Sequence, residues 1–169
     1  QAAPFGNFSV NSDTSAAINR DGRLFVGSNS AVQYADEIDQ PFVLVQVVGS
    51  NDLRSNIWVD NSTTSPNLGH VYYGWGTSAT NSCIFIARSL TDGVSFQPTF
   101  QVTPDPTPET PFCFPYNRDV VIRSAPNGHA YAAWSLNDGP FLHDSSDAIG
   151  FSRSVDGGAS WEAPSRIID

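Results

Sequence analysis

The sequence predicts an all-β fold built from repeated four-stranded antiparallel units, and two observations lead to this. Short runs of β-branched and aromatic residues recur between clusters of Gly, Pro, Asn, Asp and Ser, whereas helical periodicity is nearly absent. Segments of the chain also repeat one another at constant spacing, which is typical of repeat architectures. The predicted strands cover residues 15–19, 23–29, 43–48, 55–60, 70–76, 83–89, 96–103, 118–124, 129–135, 148–154 and 161–168.

The repeats are visible by direct alignment. Residues 69–75 (Gly-His-Val-Tyr-Tyr-Gly-Trp) align with residues 128–134 (Gly-His-Ala-Tyr-Ala-Ala-Trp) at an offset of 59. Residues 84–96 then align with residues 149–161 at an offset of 65. The six additional residues fall in the loop after Trp134, where an insertion between strands costs little.

These alignments divide the chain into a partial first unit at residues 13–48, a second unit at 55–103 and a third at 118–169. Residues 104–115 connect the second unit to the third. Four prolines fall within residues 103–111, and because proline lacks an N–H donor we expect a stiff, extended connector there.

The third unit contains a turn motif at residues 154–161, Ser-Val-Asp-Gly-Gly-Ala-Ser-Trp. A short carboxylate in a tight turn accepts backbone N–H bonds, and glycine supplies a positive φ. The serine hydroxyl can bridge the mouth of the hairpin, and the tryptophan folds back as an apolar anchor. The residues assigned to these roles are Ser154, Asp156, Gly158, Ser160 and Trp161.

The second unit carries a degenerate copy of this turn at residues 89–96. It has Thr91 at the aspartate position and an aspartate one place later. The residues assigned to the second turn are Ser89, Asp92, Gly93, Ser95 and Phe96.

The two turns and the repeats around them resemble the Asp-box (BNR) repeat β-propellers of the secreted sialidase-like family. The resemblance covers most of the chain and implies four-stranded blades whose innermost strands are residues 13–19, 56–60 and 118–122. Propellers close a ring of typically four to eight blades. With two full blades and a partial one, the chain is expected to be a fragment of a longer chain, one of several chains that complete a ring, or an open stack. The expected partners are therefore further blades from the same chain or from other chains.

The resemblance also implies what an active member would need. Sialidases clamp a carboxylate with three arginines and use a Tyr nucleophile with a Glu and an Asp acid. They carry an Arg-Ile-Pro signature before the first Asp-box, and this sequence contains none. We therefore expect a non-catalytic binding or structural module. The competing hypothesis is a fragment or subunit of a sialidase-type glycoside hydrolase.

Four residues near the starts of predicted inner strands are candidates for binding a carboxylate or a glycan: Arg54, Tyr116, Arg118 and Asp119. The alternative is that these charges pair with neighbouring blades or cap strand ends. Trp58 is a further candidate, as an aromatic platform for sugars. No catalytic residue, cofactor or metal site is predicted, although the acidic cluster Asp36, Glu37 and Asp39 is compatible with calcium held in a loop or with a solvated loop.

Composition narrows the classes of function. The 169 residues carry a net charge of -9, and the eight cationic residues, all arginines, are dispersed, so nucleic acid is excluded as a partner. Hydrophobic residues make up 40% of the chain, which excludes a disordered chain, and no apolar run is long enough to cross a membrane.

The expected location is outside the cell. The chain starts at Gln1 and contains no methionine, as a mature chain does after loss of a signal segment, although an arbitrary chain boundary would look the same. In an exported protein Cys83 and Cys113 are expected to form a disulfide, the alternative being two buried thiols. The sequons at Asn7 and Asn61 are candidate glycosylation sites.

Overall fold

The computed structural model describes residues 14–28, 31–46, 52–77, 83–104, 113, 116–137 and 148–168. Within these ranges the regular structure consists of strands in three four-stranded antiparallel sheets, and in each sheet the strands lie in chain order. The predicted all-β class is therefore confirmed. Among the described residues, no helix is long and apolar enough to span a membrane.

The twelve strands divide evenly among the sheets. The first sheet contains β1 (Ser15–Ile18), β2 (Leu24–Ser28), β3 (Ala31–Ala35) and β4 (Val43–Gln46). The second contains β5 (Asp52–Val59), β6 (Val71–Thr77), β7 (Ile84–Ser89) and β8 (Phe100–Gln101). The third contains β9 (Tyr116–Ser124), β10 (Ala130–Asn137), β11 (Ala148–Ser154) and β12 (Ser165–Ile168).

The first sheet includes a strand that the sequence analysis did not predict. β3 pairs with β2 on one side and with β4 on the other, so the first unit has four strands and is not partial. Its sequence, Ala-Val-Gln-Tyr-Ala, is short, and Val32 is its one fully buried large side chain. A run this short, with polar Gln33 at its centre, gives a weak strand signal.

The fourth strands of the other two sheets begin later than predicted. The predicted strands at 96–103 and 161–168 are reduced to β8 and β12, because Pro98 and Pro164 lack the N–H that a ladder needs. Just before each proline one backbone bond still joins the chain to the third strand. Gln97 N–H donates to Arg88 O and Glu162 N–H donates to Arg153 O, both at 2.8 Å.

The sheets stack through their first strands, with β5 packed against both β1 and β9. One buried cluster lies between the first and second sheets and includes Phe25, Tyr73 and Trp75. A second lies between the second and third sheets and includes Tyr72 and Trp134. The inner strands of successive sheets are therefore neighbours, which places their first residues along one edge of the stack.

A disulfide joins the second sheet to the start of the third. Cys83 and Cys113 are bonded, as predicted, with Cα atoms 5.1 Å apart. Cys83 directly precedes β7 and Cys113 precedes β9. The bond therefore spans the connector between the two sheets, most of which lies outside the described residues.

Candidate functional site

Two strained residues mark the beginnings of the second and third inner strands. Arg54 has φ 55° and Asp119 has φ 58°, in the left-handed region that non-glycine residues rarely adopt. Each lies at a β-bulge, where the pairing of β5 with β6 and of β9 with β10 shifts register. Each also lies three positions before an isoleucine, Ile57 or Ile122, that occupies the same ladder position in its sheet. The two bulges are therefore equivalent features of successive repeats.

The bulges direct the two side chains toward each other across the sheets. Arg54 Nη1 donates to Asp119 Oδ1 at 2.7 Å and to Oδ2 at 2.8 Å. The side chains remain 48% and 41% exposed. Ser135 Oγ donates to Asp119 Oδ2 at 3.0 Å or to Arg118 O at 3.2 Å. A guanidinium, a carboxylate and a hydroxyl therefore lie side by side, and we call Arg54, Asp119 and Ser135 the rim site.

The other two predicted site residues contribute less to this arrangement. Arg118 is half-buried next to the bulge, and its carbonyl is one acceptor of the Ser135 hydroxyl. Tyr116 begins β9, but its side chain lies outside the described part of the structure. The structure therefore brings Arg54 and Asp119 together. Their contact is an ion pair between neighbouring units, which is the alternative that the sequence offered for these charges.

Sequence reasoning missed the residues that hold the rim site. Asn117 is buried below the bulge, where its Oδ1 accepts from Trp134 Nε1 at 2.7 Å and its Nδ2 donates to Cys113 O at 3.0 Å. This network ties β9 to β10 and to the disulfide. The repeated tryptophans Trp75 and Trp134 indicated a buried layer at this level of the sheets. Asn117 is not repeated in the second unit, so the repeats did not identify it.

The opposite edge of the stack carries the turns between the third and fourth strands of each sheet, which we call the corner turns: residues 35–42, 89–96 and 154–161. In the third, Asp156 Oδ1 accepts from the Ser160 amide at 2.9 Å, and Oδ2 accepts from the Ser160 hydroxyl at 2.6 Å. Burial raises the pKa of Asp156, but hydrogen bonds from Ser160, Ser154 and Ala159 outweigh it and lower the pKa to about 2. Trp161 is buried beside this turn at 8% exposure.

In the second corner turn Thr91 takes the place of the aspartate. Its Oγ1 accepts from the Ser95 amide at 3.0 Å. Asp92, at φ 52°, leaves the turn and contacts the first sheet, where it accepts from Asn19 Nδ2 at 3.0 Å and pairs with Arg23 at 3.1 Å. The displaced aspartate therefore joins two sheets, a role that the spacing alone did not reveal.

The corner turns are also docked by the preceding sheet. Arg88 Nη1 donates to Gly157 O at 3.0 Å and to Asp156 O at 3.2 Å. Tyr72 OH donates to Gly157 O at 3.2 Å, and burial raises the pKa of this phenol. A Cβ placed on Gly158 would lie 2.8 Å from the Tyr72 ring, so glycine is needed for this approach.

Two further candidates are engaged in structural contacts. The Trp58 ring lies under the Arg123 guanidinium, 4.4 Å from the ring centroid, and its Nε1 donates to Ser124 Oγ at 3.0 Å. The exposed Asn61 donates through Nδ2 to Ile18 O at 2.9 Å. Asn7 lies outside the described residues.

The acidic cluster of the first corner turn is partly neutralised. Arg23 Nε donates to Asp36 Oδ1 at 2.7 Å. In the described part of the chain, no group of three or more His, Cys, Asp or Glu side chains is arranged to hold a metal ion.

Comparison with known proteins supports the architecture. No protein-family model matches the chain, and no curated protein matches it. Solved structures do. A protein of unknown function from Dyadobacter fermentans aligns with a TM-score of 0.60 and 11% identity over 90% of this chain. The α-L-arabinofuranosidase Arb93A of Fusarium graminearum aligns at 0.55 and 11% over 93%, and the NanB sialidase of Streptococcus pneumoniae at 0.52 and 12% over 85%.

The chain spans less than half the length of these structures: 40%, 49% and 19% respectively. At such identities the likeness concerns the fold alone. The sialidase and the arabinofuranosidase have β-propeller folds, and the three stacked sheets align with part of each. The chain therefore has the β-propeller fold, represented by three successive blades of an incomplete ring.

Proposed function

We propose that this chain is an extracellular, non-catalytic propeller module that binds neutral glycans at the rim site. The observation that carries the proposal is the pair of equivalent bulges, which hold Arg54 and Asp119 in a strained conformation and yet leave both side chains nearly half exposed. Residues held in rarely adopted backbone conformations cluster at binding sites.

The chemistry of the rim site suits sugar hydroxyl groups, which both donate and accept hydrogen bonds. Arg54 offers N–H donors, Asp119 offers acceptor oxygens, and Ser135 offers a hydroxyl that does both. An anionic sugar is a poorer fit. Its carboxylate would compete with Asp119 for the same guanidinium and would be repelled by it. Neutral oligosaccharides are therefore proposed over sialylated ones.

Two observations are compatible with the proposed extracellular location. The Cys83–Cys113 disulfide is a feature of proteins that fold in oxidising compartments. Two of the aligned structures are a sialidase and an arabinofuranosidase, which act on carbohydrates. Both points support a secreted carbohydrate-related module.

The binding test uses a glycan array that contains neutral and sialylated oligosaccharides, followed by calorimetry on the strongest hit. We expect retention of neutral glycans and at least about a tenfold loss of affinity in Arg54→Gln, one hydrogen-bonded pair being worth about 1.4 kcal/mol or more. The matched control is Arg20→Gln, an exposed arginine near the opposite edge of the stack. An array without hits, or an Arg54→Gln variant that binds like the parent, would contradict the proposal.

A second candidate is a subunit of a glycoside hydrolase, favoured by the same aligned enzymes. Most glycosidases need two suitably spaced carboxyl groups. Among the side chains that the structure describes, Asp119 is the one carboxylate at the rim, and Arg54 engages it. Release of the fluorophore from a 4-methylumbelliferyl sialoside or arabinofuranoside by the purified chain would establish this second function and exclude a purely binding role.

A further inference from the structure

The hairpins between the first and second strands of the three sheets lie on the same edge as the corner turns, and all of them close in the same way. In each, the residue after the first strand donates its amide to the residue before the second strand and accepts from the amide of a glycine, at 2.9 to 3.2 Å. The glycines are Gly22, Gly69 and Gly128, with φ of 94°, 84° and 82°. Because the closing bonds and the φ values agree, the three glycine carbonyls occupy equivalent positions in their sheets.

The hairpins differ in the length of the loop that they close. Two residues separate the closing residue from the glycine in the first and third sheets, whereas eight residues, 61–68, separate them in the second. This longer loop reaches the third sheet, where Asn67 Nδ2 donates to Gly128 O at 2.7 Å and Pro66 covers Gly128. The Asn67 amide also covers the third corner turn, since a Cβ at Gly157 would lie 2.6 Å from its Nδ2. A Pro-Asn pair therefore fills the space between the second and third sheets at this edge.

The same space between the first and second sheets is an open cleft of about 380 Å³. Gly69 lines the cleft and is the equivalent of Gly128 at the repeat offset of 59. Asp92 lines it too and is the equivalent of Gly157 at the offset of 65. The cleft therefore lies where the Pro-Asn pair lies in the next interface. We call it the edge cleft, and its other lining residues are Asn19, Arg20, Asp21, Asn61 and Leu68.

The edge cleft presents two hydrogen-bond acceptors at the places that Asn67 covers in the next interface. One is the Gly69 carbonyl, to which no residue in the described part of the chain donates a hydrogen bond. The other is the Asp92 carboxylate, which remains 39% exposed although Asn19 and Arg23 contact it. A primary carboxamide carries two N–H donors, one for each acceptor, whereas a hydroxyl or a secondary amide carries one.

The charges around the cleft favour a neutral donor. Arg20 lies in its wall and Arg23 already pairs with Asp92 at 3.1 Å, so an ammonium or guanidinium group would meet two cations. A carboxylate would be repelled by Asp21 and Asp92 and would lack the N–H donors. The carboxamides of asparagine and glutamine are neutral and carry both donors. Asparagine is favoured, because the equivalent space accommodates Asn67.

We propose that the edge cleft binds an asparagine side chain of a partner polypeptide, held as Asn67 is held in the next interface. Its two N–H groups donate to the Gly69 carbonyl and to the Asp92 carboxylate. A proline before the asparagine packs over Gly69, as Pro66 packs over Gly128. The cleft lies on the opposite edge of the stack from the rim site, so this interaction is separate from the proposed glycan binding.

A heteronuclear NMR titration of the isotope-labelled full chain tests the proposal with a defined probe, acetyl-Ser-Pro-Asn-Leu-amide, which copies residues 65–68. We expect saturable shifts of the backbone amides of Gly69 and Asp92. The matched peptide with Asp in place of Asn has nearly the same shape, but it lacks the N–H donors and adds a negative charge. We expect this peptide to bind at least about tenfold more weakly.

Two variants of the chain locate the binding. Leu68→Trp fills the cleft with an indole and should abolish the saturable shifts. The matched control is Leu44→Trp, which changes a 63% exposed leucine of β4 outside the cleft and should bind the peptide like the parent. Circular dichroism verifies that both variants are folded, and the comparison of the two peptides needs the parent chain alone. A parent chain without saturable shifts, equal binding of the two peptides, or a folded Leu68→Trp that binds like the parent would each overturn the proposal.

Discussion

Arg54 and Asp119 occupy the same position in two successive repeats, share a left-handed backbone conformation, and form an ion pair with each other across the sheets. Repeat-equivalent residues seldom meet, because each normally faces the same way on its own sheet. Here the bulge in each inner strand brings the two side chains together at the edge of the stack. A single repeated backbone feature thus produces a site with two opposite charges.

Replacing Arg54 by glycine should separate stability from binding. Glycine removes the cost of the left-handed conformation, about 1–2 kcal/mol, while an exposed ion pair is worth about 0–1 kcal/mol. We expect the free energy of unfolding of Arg54→Gly, measured in urea, to equal or exceed that of the parent. We also expect the variant to lose glycan binding. A loss of more than about 1 kcal/mol would assign the arginine a structural role instead.

Gly158, which contacts the Tyr72 ring, should tolerate substitution far less than a glycine in open space. Gly158 (φ +86°) faces the Tyr72 ring, whereas a Cβ at Gly69 (φ +84°) would have no non-neighbouring atom of the described residues within 4 Å. We expect Gly69→Ala to cost about 1–2 kcal/mol from conformation alone, and Gly158→Ala to cost about 1–3 kcal/mol more from overpacking. Equal costs in urea unfolding would mean that the ring contact does not hold the sheets together.

The aromatic anchors of the second and third corner turns should differ in their contribution to the free energy of unfolding. Trp161 is 8% exposed, while Phe96 is only half-buried. Trp161→Ala is expected to lower the free energy of unfolding by about 3–5 kcal/mol, and Phe96→Ala by about 1–2 kcal/mol. Denaturation of the two variants under identical conditions gives the comparison, and the reverse order would contradict the packing described.

The low pKa of Asp156 predicts a defined acid dependence. The folded-state pKa is about 2 and the ordinary value is 3.8, so the ionised carboxylate stabilises the fold above about pH 4. That contribution is lost as the pH falls through about 2. Asp156→Asn should therefore be less stable than the parent at pH 7, with a gap that closes between pH 4 and pH 2. Because Asp156 is exposed, we expect a small gap. Thermal melts across this range measure it, and a gap independent of pH would exclude the charge as its origin.

The predictable part of this fold was the part that repeats. The offsets of 59 and 65 residues located the strands of the second and third sheets, because equivalent strands bury equivalent side chains. The first corner turn escaped detection since it lacks both the glycine and the tryptophan of the third. Phe42, which matches Phe96 at an offset of 54, was the remaining signal. Without that match, Asp36 and Glu37 looked like a solvated or calcium-binding loop.

The sequence did not predict the contacts between the sheets. Arg54 and Asp119 were identified as candidates, but their pairing depends on two register shifts, and the residue types at these positions do not predict such shifts. Asp92 looked like a misplaced turn residue until its contacts with Asn19 and Arg23 gave it a role. Periodicity reports which face of a strand is buried, whereas these side chains depend on how one sheet lies on another.

The disulfide has a consequence for how the chain withstands proteolysis. Cys83 and Cys113 lie on either side of the proline-rich stretch at residues 104–112. A protease that cut this stretch would leave both pieces covalently attached through the sulfur bridge. The bridge thus makes the covalent linkage of the third blade to the second independent of an intact peptide chain.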